Sequence, residues 1–172
     1  MKLILIPLLI LSFACAKENP KPVAKPAKTY ATVDKHSALR NDIITYAKQH
    51  MGVPYCYASA NPDKGFDCSG FVNYVFKHFD IELPRSSAGF ETIGKTVRPE
   101  DFKVGDVVVF TGYRDKNTVG HVGIICEANG MDSKFIHASS GKEMAVTISS
   151  LNSDQYKRRF IKAVDVVTGN SK

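Results

Sequence analysis

The octapeptide Gly65-Phe66-Asp67-Cys68-Ser69-Gly70-Phe71-Val72 sets one cysteine between an aspartate and a serine, just ahead of an apolar run. Buried structural cysteines sit among aliphatic neighbours. Small and polar neighbours fit a nucleophile better. A thiol with a pKa of about 8.5 is mostly protonated at neutral pH, and the thiolate is the attacking species. Two devices lower that pKa: the free N–H groups of a helix N-terminus and an adjacent imidazolium. Cys68 is placed for the first. His121, which opens "HVGIICEA", is placed for the second and would pass its proton to a leaving amine. His137, in "KFIHAS", would hydrogen-bond the other ring nitrogen of His121 and fix its tautomer. The backbone N–H of Cys68 would help to hold an oxyanion. Ser69 and Gly70 would keep the first helical turn narrow for an approaching substrate. Taken singly, each residue has a structural explanation: a helix-start residue for Cys68, strand-edge residues for the two histidines. One Cys and two His would also suit zinc. The sequence offers no fourth ligand and no CxxC or HxxxH pair, so neither a metal nor another cofactor is expected.

Regular elements must hold these side chains. Leu39, Ile43, Ala47 and Met51 recur at helical spacing and predict an amphipathic helix over 37–50, ended by Gly52 and Pro54. Phe71, Val72, Val75, Phe76 and Phe79 share one broad helical face and predict a second helix over 68–78, with Pro84 as a breaker beyond it. From Val104 onward, "VGDVVVF", "HVGIICEA", "KFIHAS", "MAVTISS" and "RFIKAVDVV" are short, β-rich and separated by turn residues. Helices followed by consecutive strands predict an α+β domain, with N-terminal helices packed on a central antiparallel β-sheet. Period-two alternation sends His121, Gly123, Ile125 and Glu127 to one face and Val122, Ile124 and Cys126 to the other. His137 lies opposite Ile136, so consecutive antiparallel pairing brings the two imidazoles close.

The chain has 172 residues, enough for one domain with short appendages. Lys2 and the apolar run from Leu3 to Phe13 have the length of a signal-peptide core and are too short to span a bilayer. Residues 16–36 are rich in Lys, Pro and Ala without apolar periodicity and read as an extended tether. The formal charge of +6 sits mostly there, since the segment beyond Lys35 carries 17 basic and 15 acidic residues. The basicity is therefore no sign of nucleic-acid binding. It suits an anionic membrane surface or wall polymer, or a solvated spacer. If Cys15 carries lipid, Cys56, Cys68 and Cys126 remain, and an odd number leaves at least one free thiol in an exported protein.

The blocks "GVPYCYASANPDKGFDCSGFVNYVFKHFDIELPRSS", "VGDVVVF", "VGHVGII", "FIHASSG" and "YKRRFIKAVDV", in this order, closely resemble the NlpC-type cell-wall endopeptidase family. The likeness runs from about Ser37 to Val167. It implies a papain-like α+β catalytic domain over 37–168, with Cys68 as nucleophile, His121 as base and His137 as orienter. It implies hydrolysis of peptidoglycan stem peptides or murein fragments, typically between D-γ-glutamyl and the diamino acid, by a monomer. Tyr55 matches the family's Pro-Tyr tyrosine near the nucleophile. Asp67 and Ser69 match residues that in some members receive the free amine of an N-terminal L-Ala, and Asp67 also suits a helix N-cap. Arg85 and Ser86 match a Pro-Arg-Ser element of the cleft wall. "LSFAC" resembles the lipobox of bacterial lipoproteins. That resemblance makes residues 1–15 a lipoprotein signal peptide, Cys15 the lipidated residue, and the protein an exported, membrane-anchored one facing the wall. A plain secretory signal is the other reading.

Two departures from the family pattern stand out. Many members have Gly-Gly where this chain has Ala58 and Ser59, which makes a positive φ harder to adopt. Cys56 lies in the same loop, as a free thiol or as a partner that would lock Cys68 in a disulfide, the free thiol being the preferred reading; Cys126 reads as core. A non-catalytic wall-binding domain and a papain-like amidase or acyltransferase are the alternative functions. The intact Cys68, His121 and His137 set argues against the first.

Overall fold

The computed structural model of the chain describes residues 30–168. The expected signal peptide over 1–15, its Cys15 and most of the expected tether over 16–36 lie outside the described residues. The elements follow in the order α1 (Tyr30–Lys48), β1 (Ala60–Asn61), β2 (Gly65–Phe66), α2 (Cys68–Lys77), β3 (Lys95–Val97), β4 (Val107–Thr111), β5 (Val119–Glu127), β6 (Lys134–Ala138), β7 (Val146–Ser150), α3 (Asp154–Lys157) and β8 (Phe160–Asp165). Helix α1 begins earlier than apolar spacing predicts. Neither Pro nor Gly stands between Pro26 and Gly52, so nothing breaks the helix upstream of its packed face. No described helix is long and apolar enough to cross a membrane.

The six-stranded antiparallel sheet has the order β3-β8-β4-β5-β6-β7. Strands β4 to β7 are sequential neighbours, as predicted, and β8 returns to the free side of β4. One face carries Val107, Val109, Val122, Ile124 and Ile136. These pack on Ile43, Ala47, Phe71, Val72, Val75 and Phe76 of α1 and α2. The other face buries Val108, Phe110, Ile125 and Phe135 with Leu151 and Tyr156. This is the predicted α+β arrangement of helices on a central sheet. Arg40 of α1 is buried and pairs with Asp106 at 2.7 Å and Asp165 at 2.6 Å, pinning the helix to β4 and β8. Removing one partner would strand a buried charge, at a cost of about 3–5 kcal/mol.

The β1–β2 hairpin delivers Cys68 to the start of α2. Gly65 sits there at φ 115°, and a Cβ would come 2.8 Å from Cys56 Cβ and run into the Pro54 carbonyl. Gly70 is needed for a different reason than the sequence predicts. A Cβ at Gly70 would strike the Ser59 carbonyl oxygen, so the bare position serves packing of α2 on its loop, not the approach of substrate.

Candidate active site

Asp67 caps α2: its extended backbone (φ −83°, ψ 173°) lets Oδ1 accept from the Gly70 N–H at 2.7 Å. Ser69 Oγ donates to the same oxygen at 3.0 Å. Arg85, from the loop after α2, closes a two-pronged pair on the carboxylate. Its Nη1 reaches Oδ1 at 3.0 Å and its Nη2 reaches Oδ2 at 2.7 Å. Cys68 itself is 8% exposed. Burial, then the Asp67 charge, push its thiol above the ordinary range, while the N–H groups of Val122, Ser69 and Cys68 pull it down. The helix terminus acts on the thiol as expected, but burial outweighs it.

The imidazole side is built on the sheet. Gly120 is the extra residue where β5 slips against β4, between the pairs Phe110–His121 and Thr111–Val119, and such bulges re-aim the next side chain. His121 Nε2 lies 2.9 Å from His137 Nδ1, with the rings at 89°. His137 Nε2 lies 3.0 Å from Ser149 Oγ and 3.4 Å from the Tyr156 hydroxyl. His137 reaches His121 because Gly123 lies between: a Cβ there would sit 2.5 Å from Phe135 and 3.1 Å from His137. Both rings are buried, against Phe110, Phe135 and Tyr156. Burial, then His137 and Arg159, hold the His121 pKa well below the usual imidazole range. Burial, seconded by Arg159, holds His137 down at about 3. Both imidazoles are therefore neutral at physiological pH. With Nε2 engaged by His137, Nδ1 is the His121 nitrogen left for a substrate or thiol proton. That requires His121 Nε2–H to donate to His137, and His137 Nε2–H to donate to Ser149.

Tyr55, Asp67, Ser69, Arg85 and Ser86 all line one cavity of about 430 Å³ with Cys68. Burial first, then the Cys68 and Asp67 charges, raise the Tyr55 phenol, so it stays a hydrogen-bond donor. Ala58 adopts φ 56°, the left-handed conformation that glycine would take more cheaply, so this loop position takes a positive φ without glycine. Gly120 borders this cavity and a second of about 720 Å³ that holds His121, Tyr156 and Arg159. A further cavity of about 830 Å³ along β3 contains none of Cys68, His121 and His137. Among the described residues no group of three or more His, Cys, Asp or Glu is arranged to hold a metal ion. Cys56 is half-buried, Cys126 is packed in the core, and both are free thiols, as is Cys68.

Sequence reasoning missed Ser149, Tyr156, Arg159 and the Val122 N–H. Arg159 Nε and Nη2 donate to the Thr111 carbonyl at 3.0 and 2.7 Å, with the guanidinium 5.8 Å from the Tyr113 ring centre. Strand register would have put Ser149 opposite Phe135, one step from His137. Nothing in "YKRRF" separates Arg159 from the exposed Arg158.

The profile of the NlpC/P60 family matches residues 52–165. The chain is 39% identical over 119 residues to the gamma-DL-glutamyl hydrolase of Bacillus subtilis, covering 69% of this chain and 27% of that protein. It is 40% identical over 131 residues to the murein DD-endopeptidase MepS/murein LD-carboxypeptidase of Escherichia coli, covering 76% of this chain and 64% of that protein. The chain thus matches about a quarter of the first relative and just under two thirds of the second. The crystal structure of an NlpC/P60 family protein from Bacillus cereus superposes with a TM-score of 0.66 at 30% identity, over 74% of this chain and 40% of that one. The α+β fold is accordingly papain-like.

Proposed function

The chain belongs to the NlpC/P60 family, and from that premise we propose that it is a cysteine endopeptidase that hydrolyses peptidoglycan stem peptides at the D-γ-glutamyl–diamino acid bond. The observation that carries this reading is the bonded series His121–His137–Ser149, which begins one residue after Gly120, the residue shared by the Cys68 cavity and the His121 cavity. His121 Nδ1 takes the thiol proton as Cys68 Sγ attacks the γ-carbonyl carbon. The Cys68 N–H and the Tyr55 hydroxyl donate to the oxyanion. The C–N bond then breaks as His121 returns the proton to the leaving amine, which leaves a thioester on Cys68. Water, deprotonated by His121, hydrolyses the thioester to the free γ-carboxylate and the thiol. His137 orients His121 throughout. Tyr55, Asp67, Ser69, Arg85 and Ser86 form the wall that holds the acyl side of the substrate. The protein works as an exported monomer, lipidated at Cys15, with residues 16–36 as the tether from the membrane to the wall.

The test is mass spectrometry of the products from a defined L-Ala–D-γ-Glu–diamino acid–D-Ala peptide, with the Cys68→Ala variant alongside. A cut after D-γ-Glu, seen only with Cys68 present, is expected. The likeness to a relative named DD-endopeptidase and LD-carboxypeptidase favours a second reading, with the scissile bond beyond the diamino acid. Release of D-Ala from the same peptide, or cleavage of a cross-linked dimer, would select it. No cleavage of any of these would return the wall-binding and acyltransfer readings.

A further inference from the structure

Arg159 is half-buried, yet among the described residues no carboxylate pairs with it. The other arginines taken out of solvent are paired: Arg40 with Asp106 and Asp165, Arg85 with Asp67. Burial pushes the Arg159 pKa down, as befits a guanidinium that has lost water without gaining an anion. Its position is nevertheless fixed. Nε and Nη2 both donate to the Thr111 carbonyl, at 3.0 and 2.7 Å, and the Thr111 N–H donates to the Arg159 carbonyl at 2.8 Å. The Tyr113 ring centre lies 5.8 Å from the guanidinium carbon. Nη1 is left with no hydrogen bond among the described residues. With His121 and Tyr156, Arg159 lines the cavity of about 720 Å³ that meets the Cys68 cavity at Gly120. We propose that this cavity receives the leaving half of the substrate, and that Arg159 selects that half by pairing with a carboxylate on it. The proposal rests on the peptidase reading above and deepens it.

The placement follows from the proton. His121 hands it to the leaving amine, so the amine half must pass His121, away from the wall that holds the acyl half. The cavity on that side is basic. Arg114 and Lys142 line it beside Arg159, against one acid, Asp115. Asp115 is committed to its own turn, where it accepts from the Asn117 N–H at 2.9 Å and the Thr118 hydroxyl at 3.0 Å. A carboxylate entering here meets a guanidinium that is already positioned and already partly desolvated, so pairing costs little further ordering. A carboxamide of the same shape brings no charge and leaves the guanidinium without its anion. Two carboxylates lie on the amine half. One is on the side chain of a dicarboxylic diamino acid such as diaminopimelate, and the other is the C-terminus of the residue that follows. Both offer the same chemistry to Arg159.

Three peptides test this: L-Ala–D-γ-Glu–diaminopimelate–D-Ala, the same peptide with a carboxamide on the diaminopimelate side chain, and the same peptide with a carboxamide at its C-terminus. The readout is the ratio of kcat/KM for each amide over the parent, in the wild type, Arg159→Gln and Arg159→Lys. The wild type is expected to lose about tenfold on one of the two amidations, the scale of one charge-assisted contact. The amide that is penalised identifies which carboxylate Arg159 reads. Arg159→Gln is expected to bring that ratio close to one, and Arg159→Lys, which keeps a cation, to hold the wild-type direction. If Arg159 served only to hold Thr111, its loss would slow all three peptides together and leave the ratios unmoved. Unmoved ratios, or a wild type that cuts all three peptides alike, would overturn the proposal. Calorimetric binding of the three peptides to Cys68→Ala, with and without Arg159→Gln, keeps the proposal separate from catalysis. Weaker binding of one amide, seen only while Arg159 is present, supports the subsite even if no peptide is cut; failure of the peptidase reading would then show as absent cleavage alone. Equal binding of all three, or no binding, counts against it whatever the turnover shows.

Discussion

On one wall of the cleft, Cys68 starts a helix beside a paired carboxylate and a half-exposed guanidinium. On the sheet side, across Gly120, His121 and His137 lie buried among Phe110, Phe135 and Tyr156, bonded to each other and to Ser149. The helix wall is charged, hydrogen-bonded and open to the cavity. The sheet side packs its two rings among aromatic side chains. Burial is the leading influence on Cys68 and on both histidines, yet it acts on them with opposite chemical effect. It keeps the thiol protonated and the imidazoles unprotonated, so the resting state holds a neutral thiol and a neutral base. The proton moves when substrate arrives. The difference between the two sides assigns binding of the acyl half to the helix side, where charges meet solvent, and proton transfer to the sheet side, where the imidazoles are buried.

The largest break in that division comes from the nucleophile. Cys68→Ala is expected to lower kcat by about 10⁶-fold, as removal of a covalent nucleophile does elsewhere. Its circular dichroism should be unchanged, because a small residue still fits the helix start. Undiminished turnover would remove Cys68 from the mechanism. His121→Ala is expected to cost between about 10²- and 10⁴-fold, the worth of a positioned acid–base group.

The orienter sharpens the comparison. His137→Asn is expected to lose less than His121→Ala, because an amide oxygen can accept from the His121 ring and keep it aimed. Equal losses would deny His137 that role.

The subtlest effect is on pH dependence. The acid limb of kcat/KM reports protonation of the essential base in the free enzyme. His121 is pushed down by burial, His137 and Arg159, so that limb should fall below the usual imidazole value of about 6.5. Arg159→Gln removes one of the depressing charges and should move the limb upward by a fraction of a unit to about one unit. A limb at or above 6.5 in the wild type would mean that the sheet wall is wetter than its packing implies.

Much of this was legible in the sequence, for reasons that differ by element. Helix α2 was readable at both ends, since Asp67 is an N-cap and Phe71, Val72, Val75 and Phe76 mark a broad buried face. The five later strands were readable as short β-rich runs set off by turn residues, nearly continuous in apolar character where the sheet is packed on both sides. The two-residue period of side chains along a strand put His121 and His137 on a common face. The pairing of Arg85 with Asp67 was not legible, because Arg85 returns to the start of α2 from a loop with no periodicity beyond the helix's end. Nor were Ser149, Tyr156 and Arg159, which reach the histidines through register and through a four-residue helix that leaves little pattern. The left-handed Ala58 was hidden for another reason: the surrounding loop imposes a conformation that its own residue type disfavours.

The account depends most on a covalent bond to Cys68. Its most direct test is the intact mass of the protein after rapid mixing with the stem peptide and quenching in acid. The expected result is a transient adduct of the acyl fragment, mapped to the Cys68 peptide and absent from Cys68→Ala. An adduct on Cys56 or Cys126 instead, or cleavage at the wild-type rate by Cys68→Ala, would contradict it.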